Sequence, residues 1–155
     1  MENNKDLKEI FKTISDSALL NFSSYIKEDK LNIVREILKF DIDSYLESMS
    51  MLLYDVKNGY YKNVDNKTVW SIALFFIYII CPEDLVEPFI GKKNFIKSFI
   101  LFSFSFINIK KELDKYREFL DKHKVETSNE FGKIIYYNHR EEYWFMEELW
   151  RLNFQ

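Results

Sequence analysis

The chain has 155 residues and is nearly neutral, with 25 acidic and 22 basic side chains. Its 47% apolar content is high enough to build a core, which excludes a disordered chain. Three Gly and two Pro leave little material for hairpin-rich β folds or Gly-rich phosphate loops. We therefore expect an all-α fold, a single domain over residues 1–155 with five to six helices around a central apolar helical hairpin.

Three helices are predicted in the N-terminal part. Apolar residues recur at helical spacing over 6–26, which predicts one amphipathic helix. A second helix is expected over 29–40, and the polar stretch 41–44 indicates a break with a new N-cap. The third runs from 45 to Gly59, where glycine permits the left-handed conformation that ends a helix.

The centre of the chain is the most apolar part. Residues 69–81 are apolar at every position except Ser71, which predicts a helix buried on all sides and ended by Pro82. A second helix is expected over 94–122, antiparallel to a helix over 67–81. Its heptad seam comprises Phe95, Phe99, Phe102, Phe106, Ile109, Leu113, Tyr116 and Leu120. The seam is expected to fill the core, and the alternative is a homodimer surface.

The C-terminal stretch allows two interpretations. Thr127 and Glu130 have the spacing of a capping box, which favours a last helix over about 128–152. The alternative is a short strand over 133–137, because this segment is rich in β-branched and aromatic residues and Gly132 weakens a helix.

The two apolar stretches 69–81 and 95–109 also have the order of a membrane hairpin. Each is shorter than the roughly 20 residues that cross a bilayer as a helix, so a buried core hairpin is favoured. The alternative is a peripheral membrane or envelope-associated protein. Its contacts with anionic lipid would come from the local basic excess of Lys92, Lys93 and Lys97.

The segment around this hairpin resembles a known family. Trp70, the apolar run ending in 77–80, and the loop Pro82-Glu83-Asp84-Leu85-Val86 followed by Phe89-Ile90 occur in the order of the family's pattern. Over about 53–119 the chain resembles the YkvA-like bacterial family of unknown function. The resemblance implies a helical hairpin that is sometimes associated with membranes.

Most chemically suggestive residues have a simpler structural interpretation. Glu83, Asp84 and Glu87 are weak candidates for binding a hard cation in a metal-dependent enzyme, but they lack a calcium-loop spacing. Cys81 is expected to be buried, with a raised pKa because acidic residues follow it. His123 and His139 lack a metal-ligand spacing and are expected at the surface. We predict no catalytic residue, no metal and no cofactor.

The C-terminal aromatic residues are the best candidates for a contact surface. Three aromatic residues in succession point in different directions around a helix, so not all of them can face one core. Glutamates lie beside them, and Arg140 is expected with those glutamates on a solvated face. The predicted partner-binding residues are Tyr136, Tyr137, Glu141, Glu142, Tyr143, Trp144, Glu147, Glu148 and Trp150.

These observations predict a non-enzymatic protein-binding module. Its most concrete form is a small inhibitor or immunity-type protein that binds and neutralises a partner toxin or nuclease. Mild acidity argues against a nucleic-acid partner. The N-terminus has no basic and apolar signal pattern, so we expect a cytoplasmic protein, with membrane association as the alternative.

Overall fold

The structure is a computed structural model that describes residues 3–38, 40–81 and 106–140. These residues are mostly helical and include one antiparallel β hairpin, so the all-α prediction is correct only in its coarse outline. The chain divides into two compact units, Met1–Leu113 and Asp114–Gln155. The single domain over 1–155 stays a prediction.

The described residues of the first unit form five α-helices and the first part of a sixth. They are α1 (Asn3–Thr13), α2 (Asp16–Leu20), α3 (Glu28–Ile37), α4 (Leu46–Lys57), α5 (Asn66–Ile80) and α6 (Phe106–His123). Short 3₁₀ turns lie at Phe22–Ser24 and Ile42–Tyr45. In the second unit, α6 continues into β1 (Lys124–Asn129), β2 (Gly132–Tyr137) and a 3₁₀ turn at Asn138–Arg140.

The prediction of one continuous N-terminal helix over 6–26 is wrong. The chain breaks at Ser15, whose backbone is extended and whose hydroxyl accepts a hydrogen bond from the Ala18 N–H over 3.1 Å. A serine hydroxyl placed in this way caps a new helix and competes with continuation of the old one. The result is two short helices and a 3₁₀ turn where periodicity alone predicted one helix.

The prediction of a buried α5 is confirmed. Asp65 caps its first turn by accepting the Thr68 N–H over 2.7 Å, and ten of its residues are buried. The helix packs against α1, α3 and α4. It ends at Cys81, which is extended because the following Pro82 disfavours the helical conformation of the residue before it.

Polar contacts join α4 to the break between α1 and α2. The Lys57 ammonium donates to the Ile14 carbonyl over 2.8 Å and pairs with Asp16 over 3.0 Å. The buried Ser50 hydroxyl donates to the Leu19 carbonyl. Helix α4 ends at Lys57, shortly before Gly59, which has the left-handed conformation that the sequence predicted, with a φ of 78°.

The described half of the heptad seam is buried, as predicted. Its members are Phe106, Ile109, Leu113, Tyr116 and Leu120. At its start, the Phe106 ring stacks on Phe40 with centroids 3.5 Å apart and meets Tyr45 edge-on at 5.1 Å. The seam members Phe95, Phe99 and Phe102, and the antiparallel pairing of the central hairpin, fall outside the described residues.

Candidate functional site

The predicted helix over 128–152 is wrong within its described part, and the strand alternative is correct. Strands β1 and β2 pair antiparallel, with Val125 opposite Tyr136 and Asn129 opposite Gly132. Gly132 has a φ of 133°, in a region that residues with a Cβ rarely adopt. This glycine therefore favours a tight reversal over continuation of a helix.

One face of the hairpin carries an exposed ion-pair triad. Glu126 pairs with Lys124 through one carboxylate oxygen and with Lys133 through the other, each over 3.1 Å. Hydrogen bonds from Lys133 and then Lys124 lower the pKa of Glu126, and the same contact raises the pKa of Lys124. Both lysines on this face are thus paired with one carboxylate, and the triad keeps an excess of one positive charge.

The hairpin also exposes apolar side chains. Phe131 lies in the turn and is 61% exposed, and Ile135 in the middle of β2 is 47% exposed. Tyr136 and Tyr137, which the sequence predicted as contact residues, follow on β2 and are partly exposed. Successive strand residues point to opposite faces, so Ile135 and Tyr137 share the face of Glu126, and Tyr136 lies on the other face. We call Phe131, Ile135 and Tyr137 the hairpin surface.

An aromatic and histidine cluster lies where α6 ends and β2 leaves the hairpin. The Phe119 ring is 4.3 Å from the His123 ring and 4.6 Å from the His139 ring, and the two imidazoles are 5.1 Å apart. The Tyr137 ring is 6.1 Å from His139. The prediction that both histidines lie at the surface is correct only in part, because each is half-buried among these rings.

Arg140 is placed differently from the sequence prediction as well. It was expected on a solvated face, yet it is buried, with its guanidinium 4.8 Å from the centre of the Tyr137 ring. A guanidinium over an aromatic face makes a favourable electrostatic contact, and the ring covers one flat side of the guanidinium with apolar surface. It therefore fixes the end of β2 that carries Tyr137.

A polar cleft of about 240 Å³ lies in the first unit. It is lined by Asp65, Lys67, Thr68, Ser71, Asn108, Ile109, Lys111 and Glu112. The Ser71 hydroxyl donates to the Lys67 carbonyl one turn earlier, which does not prepare it as a nucleophile. Near this cleft, burial and then the charge of Glu112 raise the pKa of Tyr61.

Cys81 is buried, as predicted, but the rise in the pKa of its thiol has a different cause from the one predicted. Burial raises the pKa of the thiol, and the charges of Lys27 and Lys30 oppose this rise. The prediction attributed the rise to the acidic residues that follow Cys81, and those residues are not described. A thiol held in its protonated form is a poor nucleophile.

The remaining predicted site residues fall outside the described part of the chain. They are the partner-binding candidates Glu141, Glu142, Tyr143, Trp144, Glu147, Glu148 and Trp150, the metal candidates Glu83, Asp84 and Glu87, and the lipid-contact candidates Lys92, Lys93 and Lys97. Within 3–38, 40–81 and 106–140, no three His, Cys, Asp or Glu side chains are grouped to hold a metal. In the same ranges, no helix is long and apolar enough to cross a membrane.

Sequence reasoning missed Phe131, Ile135 and the ring cluster around Phe119. The available signal was the run of β-branched and aromatic residues after Gly132, which indicates a strand and places an aromatic residue at a turn. No protein-family model, curated protein or solved structure matches this chain. The resemblance to the YkvA-like family therefore stays a prediction.

Proposed function

We propose that this chain is a non-enzymatic protein-binding module that contacts its partner through the hairpin surface. The observation that carries the proposal is the exposure of Ile135 beside the partly exposed Tyr137 on one face of a short hairpin, with Phe131 exposed at its turn. Large apolar and aromatic side chains near the centre of an interface usually contribute most of its binding energy.

The charges around this surface suit a polar rim. Glu126 pairs with both Lys124 and Lys133, so a partner that covers Ile135 meets charges that already have a counter-ion, although one positive charge remains in excess. Exposed ion pairs at the edge of an interface contribute little energy and mainly limit which partners fit. The apolar residues would then provide affinity, and the triad would provide orientation.

The partner is expected to be basic. Residues 141–155 contain four glutamates and one arginine, and the whole chain has a net charge of -3. Net negative charge speeds association with a positively charged protein and disfavours association with acidic ones. The more specific form of the proposal is a small inhibitor or immunity-type protein that neutralises a basic toxin or nuclease.

Affinity capture with the full chain tests the proposal. A tagged chain expressed in the cells that produce it should retain one stoichiometric, basic protein, and that protein should bind the purified chain directly. Recovery should fall at high salt, because screening weakens the charge attraction. A gene for the captured protein next to the gene for this chain would support the inhibitor role.

Two variants distinguish a specific contact from nonspecific binding by exposed apolar side chains. Phe131→Ser with Ile135→Ser should abolish capture. Ile107→Ser removes an equally large apolar group that is 71% exposed on α6 and should leave capture unchanged. Equal capture by both variants, or an acidic partner, would contradict the proposal. Binding to anionic vesicles without any protein partner would instead favour the peripheral membrane alternative.

A further inference from the structure

We propose that His123 and His139 form a two-ligand binding site for a borderline transition-metal ion such as Zn²⁺. The two side chains are 16 positions apart in the sequence and come together because the β hairpin returns the chain to the end of α6. They are the two histidines of the chain. Imidazole nitrogen is a preferred ligand of zinc, copper and nickel, whereas magnesium and calcium prefer oxygen.

The hydrogen bonding of His123 fixes which nitrogen is available. Its Nδ1 lies 2.8 Å from the main-chain carbonyl oxygen of Phe119, one turn earlier on α6. A carbonyl only accepts, so Nδ1 carries the proton and the neutral ring keeps its lone pair on Nε2. Metal-binding histidines are commonly oriented in this way, by donating the other ring N–H to a carbonyl.

The separation of the rings matches the one a shared ion requires. Two imidazoles that share a tetrahedral zinc ion through bonds of about 2.0–2.1 Å have ring centres about 5 Å apart. The observed centroids are 5.1 Å apart, with the ring planes inclined by 71°. The ring separation therefore suits a shared ion, and binding would turn the rings until one nitrogen of each faces that ion.

The surrounding rings restrict how the two imidazoles move. The Phe119 ring contacts both of them, and the Tyr137 ring lies 6.1 Å from the His139 ring. Ligands that packing already holds close together lose less conformational entropy when they bind an ion. With two protein ligands, water would complete the coordination of the ion.

NMR titration of the full chain tests the site, with Cys81→Ser as the background so that the thiol cannot bind zinc. Near neutral pH, the first equivalent of Zn²⁺ should shift the ring signals of both histidines. Mg²⁺ should shift neither, because it prefers oxygen ligands.

Two variants assign the ligands. His123→Gln and His139→Gln should each weaken zinc binding more than tenfold in calorimetry. If either variant fails to fold, the histidine ring signals of the Cys81→Ser protein alone decide whether both side chains bind zinc. A shift of one ring only, no shift of either, an equal effect of Mg²⁺, or undiminished affinity in a folded variant would overturn the proposal.

Discussion

The guanidinium carbon of Arg140 lies 4.8 Å from the centre of the Tyr137 ring, and Arg140 is only 6% exposed. This contact joins the end of β2 to the 3₁₀ turn that follows it. A two-stranded hairpin is only marginally stable by itself, so contacts at its base are needed to keep it folded. The hairpin surface thus depends on a residue that sequence reasoning assigned to solvent.

Replacing Arg140 should therefore loosen the hairpin. Arg140→Ala removes the cation–π contact and the packing of the side-chain stem, and we expect a loss of about 1 to 2 kcal/mol in the free energy of unfolding. Urea unfolding followed by Tyr and Trp fluorescence measures it. Lys133→Ala, at an exposed position on the same hairpin, is the control and should change stability by less than about 0.5 kcal/mol.

The link between α4 and the α1–α2 break gives a second prediction. Lys57→Met keeps most of the apolar stem but removes the hydrogen bond to the Ile14 carbonyl and the pair with Asp16. The expected loss is about 1 to 2 kcal/mol, because the carbonyl loses a charged donor in a partly buried place. Lys62→Met, at an exposed position in the first unit, should be nearly neutral. Equal effects of the two variants in urea unfolding would contradict the assigned role of Lys57.

The burial of helix α5 gives a third prediction. Ile72 is fully buried, so Ile72→Ala should lower the free energy of unfolding by about 2 to 5 kcal/mol through lost transfer energy and the cavity left behind. Ile107→Ala, which removes the same atoms from an exposed position, should cost less than about 0.5 kcal/mol. Thermal unfolding of both variants checks the contrast, and similar melting temperatures would argue against a central α5.

The ion-pair triad gives a pH prediction. Because the lysines stabilise the charged form of Glu126, its carboxyl should titrate below the ordinary value of 4.5 in a carbon-detected NMR experiment. A lowered folded-state pKa means that the contribution to stability is present above the unfolded value and disappears as the pH falls through the folded one. Lys133→Gln should move the midpoint upward, since Lys133 is the larger cause. An unchanged midpoint would show that this pair does not form in solution.

The spacing of apolar residues correctly predicted the parts of the fold in which burial of apolar side chains decides the structure. The all-round apolar character of α5 required burial, and the spacing of Ile109, Leu113 and Tyr116 required one buried face of α6. It failed at Ser15, because a local capping hydrogen bond outweighed a continuous apolar pattern. Such a cap depends on the backbone conformation of a single residue, which periodicity does not report.

The candidate site was predicted less well for a related reason. Thr127 and Glu130 have capping-box spacing, but pairing of β1 with β2 competes with the helix and prevails around Gly132. Once that segment is assigned as a helix, His139 cannot be placed beside His123, and Phe131 cannot be placed at a turn. Tyr136 and Tyr137 are partly exposed, and their assignment as contact residues, which rests on the enrichment of tyrosine at interfaces, stays a prediction.

The most direct test of the binding function is the affinity of the captured partner for purified variants, measured by calorimetry. The proposal predicts that Phe131→Ser with Ile135→Ser weakens binding at least a hundredfold without a change in the circular dichroism spectrum, because these residues would form the centre of the interface. Ile107→Ser should bind like the wild type. Wild-type affinity in the Phe131/Ile135 double variant would contradict the central claim.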